Sequence, residues 1–369
     1  MNGRGYNPSR MPPPARRLAP DHFRTLAASG LRTPIGTDLL LHERPDPEAA
    51  RVDGRRLAGV VREAAERYRT PLAIPLMDLR VEKADLVHRL RPGVDADTFR
   101  FDSPPTAADL DRARATDGAP LLARHRAHCD AVAEIASRDA LTAFGISIGP
   151  FSLMTKLLAD PIAAVALAGR GVAAEDEPLV ATAEGALRLA EHTVHRSLRA
   201  QAEAGAAAAI VCEPAASALF VSPRQIAQGS PVFERFVLEP LLRLRALLDG
   251  CGVDLFLHDC GEPTTAMVEA LATRVRPAVL SLGSSRRLWE DAAVVPSDVV
   301  LFGNLPTKHF YSDDTLPVDA VRARTRELAA RMRESGHPFI LGSECDVLHV
   351  PEAAATIRGK VEVMLTAGA

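Results

Sequence analysis

The sequence predicts a (β/α)8 barrel, that is, a TIM barrel with an irregular N-terminal extension. Two observations lead there. Eight short apolar runs alternate with helical segments, and polar residues hardly interrupt the runs, as expected of parallel strands covered on both faces. Polar or small residues then recur at or just after the ends of these runs: Asp78, Gly149, Glu213, His258, Cys260, Asn304 and Cys345. In a closed barrel these positions share one face, the face where catalytic groups sit. A doubly wound open sheet is the competing architecture, but no Gly-rich phosphate loop follows the first run.

The elements follow in order. Residues 1–20 carry four Arg and five Pro and no apolar segment, so they read as a flexible Pro/Arg-rich tail and not as an export signal. Residues 21–369 make up a single barrel domain, entered through irregular structure and short helices over 21–50. Apolar residues at helical spacing over 52–69 lead into Pro71-Leu-Ala-Ile-Pro-Leu-Met77, the first run. Thr98-Phe-Arg-Phe101 is a short second run, and Pro104-Pro105 marks a turn. Residues 109–137 read as helix with a break between Gly118 and Pro120, and 141–148 form the third run. A long Ala-rich helix spans 177–204. The fourth to eighth runs lie at 207–212, 253–257, 278–282, 298–302 and 338–341. Helical segments separate them, notably 224–248, 264–275 and 318–335, and a helix over 351–365 closes the chain.

At 369 residues and 47% hydrophobic, the chain can bury a sizeable core. Its net charge of -3 gives no pull toward nucleic acid or an anionic membrane. No stretch approaches the ~18 consecutive apolar residues of a membrane span. The five cysteines, Cys129, Cys212, Cys251, Cys260 and Cys345, are an odd number without an export signal. They are expected to be reduced thiols in a cytoplasmic protein, where cysteine more often means metal or catalysis. Cys129 and Cys251 read as packing residues.

The stretch Val253-Asp-Leu-Phe-Leu-His-Asp-Cys-Gly261 puts an imidazole and a thiol two residues apart at the end of a strand. Alternate strand residues share a face, so His258 and Cys260 can address one ion. Downstream, Phe339-Ile-Leu-Gly-Ser-Glu-Cys345 repeats the arrangement. Singly, a histidine or cysteine at a strand end is more often a satisfied polar residue or a small hydrophobe. Two such ends opening onto one barrel mouth favour a three-ligand zinc site of His258, Cys260 and Cys345 with its fourth position open.

Several pieces in sequence resemble the uroporphyrinogen decarboxylase superfamily, and more closely its zinc-dependent corrinoid:coenzyme M methyltransferase branch. They are Met77-Asp-Leu-Arg-Val-Glu82, Gly149-Pro-Phe-Ser-Leu153, Glu213-Pro-Ala-Ala-Ser217, His258-Asp-Cys-Gly261, Gly303-Asn-Leu305 and Gly342-Ser-Glu-Cys345. The resemblance implies that zinc falls on His258, Cys260 and Cys345. The Arg-rich Met-Arg-Gln-Ala-Gly-Arg type of motif, which holds substrate carboxylates in the decarboxylases, is absent. Glu213 stands where the methyltransferases usually have Asp before Pro.

The expected reaction is methyl transfer from a corrinoid, methylcobalamin, to a zinc-activated small thiol. A free thiol with a pKa of roughly 8.5 is mostly protonated at neutral pH, and zinc removes that proton. The chain lacks the Asp-x-His-x-x-Gly type of motif usual in corrinoid proteins, so the donor is free or presented by a separate corrinoid protein. Glu213 and Asp78 are the candidate catalytic carboxylates, against the plainer readings of a salt-bridged rim group and a turn cap. Asn304 and Lys308 are candidate substrate-binding residues, against an αL turn beside Gly303 and solvated loop positions. Asp259, between the ligands, is expected to point away from the ion. A cofactor-free decarboxylase is the alternative enzyme, and it predicts Arg at the mouth, where Arg80 and Arg224 are the few candidates. A closed, four-coordinate metal-binding accessory protein is the non-catalytic alternative.

Overall fold

The computed structural model describes residues 17–138 and 140–368; most of the tail expected over 1–20 lies outside them. Eight strands form one parallel sheet: β1 (Arg32–Ile35), β2 (Leu72–Ala73), β3 (Thr142–Ile148), β4 (Ala208–Cys212), β5 (Asp254–Asp259), β6 (Val279–Leu282), β7 (Val300–Leu305) and β8 (Phe339–Asp346). Their order in the sheet is β1-β8-β7-β6-β5-β4-β3-β2. Helices fill the connections, as parallel strands require, and the fold is a distorted (β/α)8 barrel with an N-terminal extension. No helix among the described residues is long and apolar enough to cross a membrane.

Six strands fall where the apolar runs predict them, and two assignments need correction. The first strand is Arg32–Ile35, within the segment expected to be irregular, so the run at 71–77 supplies the second strand and contracts to Leu72–Ala73. Residues 98–101 form no strand; Phe101 makes a single bridge to Leu158. Phe99 and Phe101 instead pack edge to face at 4.9 Å, a local aromatic contact that explains the apolar signal without a ladder.

The sheet's two edges meet at a seam between β1 and β2. Thr37 Oγ1 donates to Ile74 O at 2.6 Å, and Tyr68 OH donates to Gly36 O at 2.9 Å. Side-chain hydrogen bonds thus tie the edges that no strand pairing joins among the described residues.

Alternate strand residues fill the barrel, among them Phe144, Ile146, Ile210, Phe256, Val279, Val300, Phe302 and Ile340. Phe144, Phe256 and Phe302 contact one another edge to face in series, with centroids 6.1 Å and 5.1 Å apart. Phe23, on the helix His22–Ala28, extends the series from below at 6.1 Å from Phe144. His22 Nε2 lies 3.2 Å from Thr142 Oγ1 at the start of β3. The N-terminal extension therefore seals the barrel floor, and the strands' carboxyl ends are left to form the mouth.

The second, larger core lies between the sheet and its helices. Local sequence starts these helices as expected. Asp53 accepts from Arg56 N ahead of Gly54–Arg67, and Glu177 accepts from Leu179 N ahead of the 26-residue helix Pro178–Glu203, whose first residue is Pro.

Candidate metal centre

β5 alternates inward with Phe256 and His258, and it carries His258 to the top of the barrel interior. In the parallel register His258 stands between Cys212 of β4 and Ser281 of β6. All three are fully buried. Ser281 Oγ lies 2.8 Å from His258 Nδ1, which leaves Nε2 as a buried nitrogen without a hydrogen-bond partner. Such an orphan is costly unless something else satisfies it.

Cys260 follows the end of β5. A Cβ on Gly283, after β6, would lie 2.9 Å from the Cys260 carbonyl oxygen, so glycine there lets the two strand ends approach. Cys345 reaches the centre through an irregularity in β8. Thr33 faces Gly342, yet Ile35 faces Asp346, so two residues of β1 span four of β8. Strict alternation from the inward Ile340 would turn residue 345 outward. A slip in pairing next to a site is a common means of re-aiming a side chain.

The result is a cluster in which one donor atom each from His258, Cys260 and Cys345 lie within 4.8 Å of one another. Hydrogen bonding with Cys260 holds the Cys345 thiol well below the ordinary range, helped by His258 and by the charge of Lys308 and opposed by burial. The same contact raises Cys260. Two sulfurs, one of them favoured as thiolate, and one imidazole nitrogen already oriented from its far side form a donor set that fits zinc.

The remaining predicted residues stand outside this group. Glu213 is buried and accepts from Phe151 N at 3.3 Å and Ser152 N at 2.5 Å, at the start of the helix Pro150–Lys156. Burial pushes its carboxyl up to about 7 against those hydrogen bonds. A Cβ on Gly149 would fall 2.1 Å from Glu213 Oε2, which gives the Gly149-Pro150 pair its reason. Asp78, also buried, accepts from Arg124 Nη1 at 3.0 Å and from Arg80 N at 3.3 Å. Asn304 Nδ2 donates to Gly283 O at 2.8 Å and to Arg286 O at 2.9 Å, so it fixes the same β6 loop that abuts Cys260. Lys308 is exposed, and its backbone N–H donates to Glu344 Oε1 at 3.2 Å. Asp259 Oδ1 accepts from Gly261 N at 2.9 Å, and its carboxylate is not among the three donors.

Sequence reasoning missed Ser281 and Glu344. Ser281 is the only polar residue inside the run Ala278-Val-Leu-Ser-Leu282, a signal that was available. Glu344 accepts from Ser284 and Lys308, joining the ends of β6, β7 and β8, and nothing local announces that.

The model of one protein family, uroporphyrinogen decarboxylase (URO-D), matches residues 46–356. A solved structure of a methyltransferase from Methanosarcina mazei is similar with a TM-score of 0.63 at 17% identity, over 94% of this chain and 98% of that one. At that identity the likeness is one of fold. No curated protein matches. Since the family model spans most of the chain, the protein belongs to the uroporphyrinogen decarboxylase family.

Proposed function

We propose that the chain is a zinc-dependent methyltransferase that moves a methyl group from a corrinoid, free methylcobalamin or a corrinoid protein, to a small thiol. The observation that carries this reading is the clustering of His258, Cys260 and Cys345 at the barrel mouth. A fold shared with a methyltransferase agrees with it. Zinc held by these three side chains would offer an open position where a thiol loses its proton and stays nucleophilic, without redox activity of the ion.

The chain's own residues do the rest. Ser281 fixes the His258 ring so that Nε2 faces the two sulfurs. Asn304 holds the β6 loop against Cys260. Lys308, exposed beside both thiols, receives an anionic end of the substrate. Glu213, whose carboxyl burial pushes up to about 7, is the group to take up the thiol proton, while Asp78 is committed to Arg124 and braces the rim.

Purified protein should contain about one zinc per chain, lost in Cys260→Ser. With methylcobalamin and a panel of small thiols it should discharge the cobalt-methyl absorbance. Full metal occupancy in Cys260→Ser, or no discharge with any thiol, overturns the reading. The family's name favours a second reading, cofactor-free decarboxylation of an acidic substrate, and activity that survives complete metal removal would select it.

A further inference from the structure

We propose that Cys260 and Cys345 form an oxidation-sensitive dithiol, a modification site where a peroxide joins the two ligand sulfurs as a disulfide and closes the centre to metal. The proposal rests on the metal reading of that cluster and adds its control. The two sulfurs lie within 4.8 Å of each other. Both residues are half-buried at the mouth, within reach of a small oxidant.

The other cysteines are placed differently. Cys212 is fully buried beneath the site. Cys129 lies on the helix Ala123–Arg138, and Cys251 ends the helix Glu239–Cys251, both in the outer layer. All five are free thiols, and the 260/345 pair alone combines proximity with access.

The chemistry balances with a peroxide as oxidant. One sulfur attacks the peroxide and breaks its O–O bond, gaining OH as a sulfenic acid while water leaves. The second thiol attacks that sulfur, the S–S bond forms, and its proton leaves with the displaced hydroxide as a second water. A disulfide sulfur has no thiolate charge to offer a cation. The centre therefore stays closed until a thiol reductant restores both sulfurs, and a bound cation, occupying both, shields them.

The test treats the full-length, metal-stripped protein with hydrogen peroxide and maps its peptides without reduction. The expected result is a peptide pair cross-linked through Cys260 and Cys345, with loss of zinc uptake until dithiothreitol is added. Zinc loaded beforehand should slow the cross-link. Cys212→Ser should keep it, and Cys260→Ser should abolish it. Finding both residues as free thiols or as sulfinic acids, or Cys345 joined to Cys212, overturns the proposal. Cross-linking is read without methyl donor or thiol substrate, so its outcome is independent of whether methyl transfer is found.

Discussion

His258 Nδ1 lies 2.8 Å from Ser281 Oγ on the neighbouring strand, and both side chains are sealed from solvent. The serine fixes the ring's rotation and assigns the free nitrogen to the sulfurs. Ser281→Ala should weaken zinc binding about 10–100-fold, as loss of a ligand's supporting hydrogen bond does elsewhere. Competition against a chelator of known affinity measures it. An unchanged affinity would show that the ring is held by packing alone.

Gly149 is predicted to tolerate no side chain, because a Cβ would meet Glu213 Oε2 at 2.1 Å. Gly149→Ala should lose about 1–3 kcal/mol of stability through overpacking. Urea midpoints of the two proteins check this, and equal midpoints would mean that Glu213 can move aside freely.

The stability of the protein should depend on Glu82. Burial pushes its carboxyl up to about 7, against hydrogen bonds from Ser147 and Ser197, and its Oε2 has no partner. In the unfolded chain the group titrates at its ordinary value of 4.5. Between the two values the folded chain keeps a proton that the unfolded chain has released. The stability that this group contributes is therefore greatest below the lower value and falls as pH rises to the upper one. Buried His125 and His128, lowered to about 3 and about 4, act in the opposite sense as pH falls below the ordinary histidine range. They do so in wild type and variant alike. Glu82→Gln should thus lose less stability than wild type between about pH 5.5 and 7.5, measured by denaturant unfolding at each pH.

Thr37→Val should loosen the seam. It removes the 2.6 Å bond to Ile74 O and should cost about 1–3 kcal/mol for a buried carbonyl left unpaired. Faster amide hydrogen exchange in β1 and β2 than in β4 and β5 would locate the effect.

The architecture was legible because six strands are runs of apolar residues ended by turn formers. β1 was not, because Arg32-Thr-Pro-Ile35 is short and contains proline, which ordinarily demotes a strand. Pro34 is tolerated at this sheet edge, where β1 has a strand partner on one side only. The strand gains support from outside its own sequence, including the 2.9 Å bond from Ile35 N to Ser343 Oγ.

The convergence of His258, Cys260 and Cys345 could be read from residue types and from the likeness of two strand ends. The slip in β8 that delivers Cys345 could not, since it is a property of the pairing with β1 and leaves no mark on either segment alone. Likewise the roles of Glu213 and Asn304 depend on a helix start and a loop that only the folded chain brings to them.

The file of phenylalanines through the barrel links its two ends. Phe256 precedes His258 by one inward step, and the Phe302 ring lies where a Cβ on Gly342 would have to go, at 2.3 Å. The spacing of the strands that bear His258, Cys260 and Cys345 is thus governed from underneath by aromatic bulk. Selection for a wider or narrower gap between these three side chains can act on residues that are not among them.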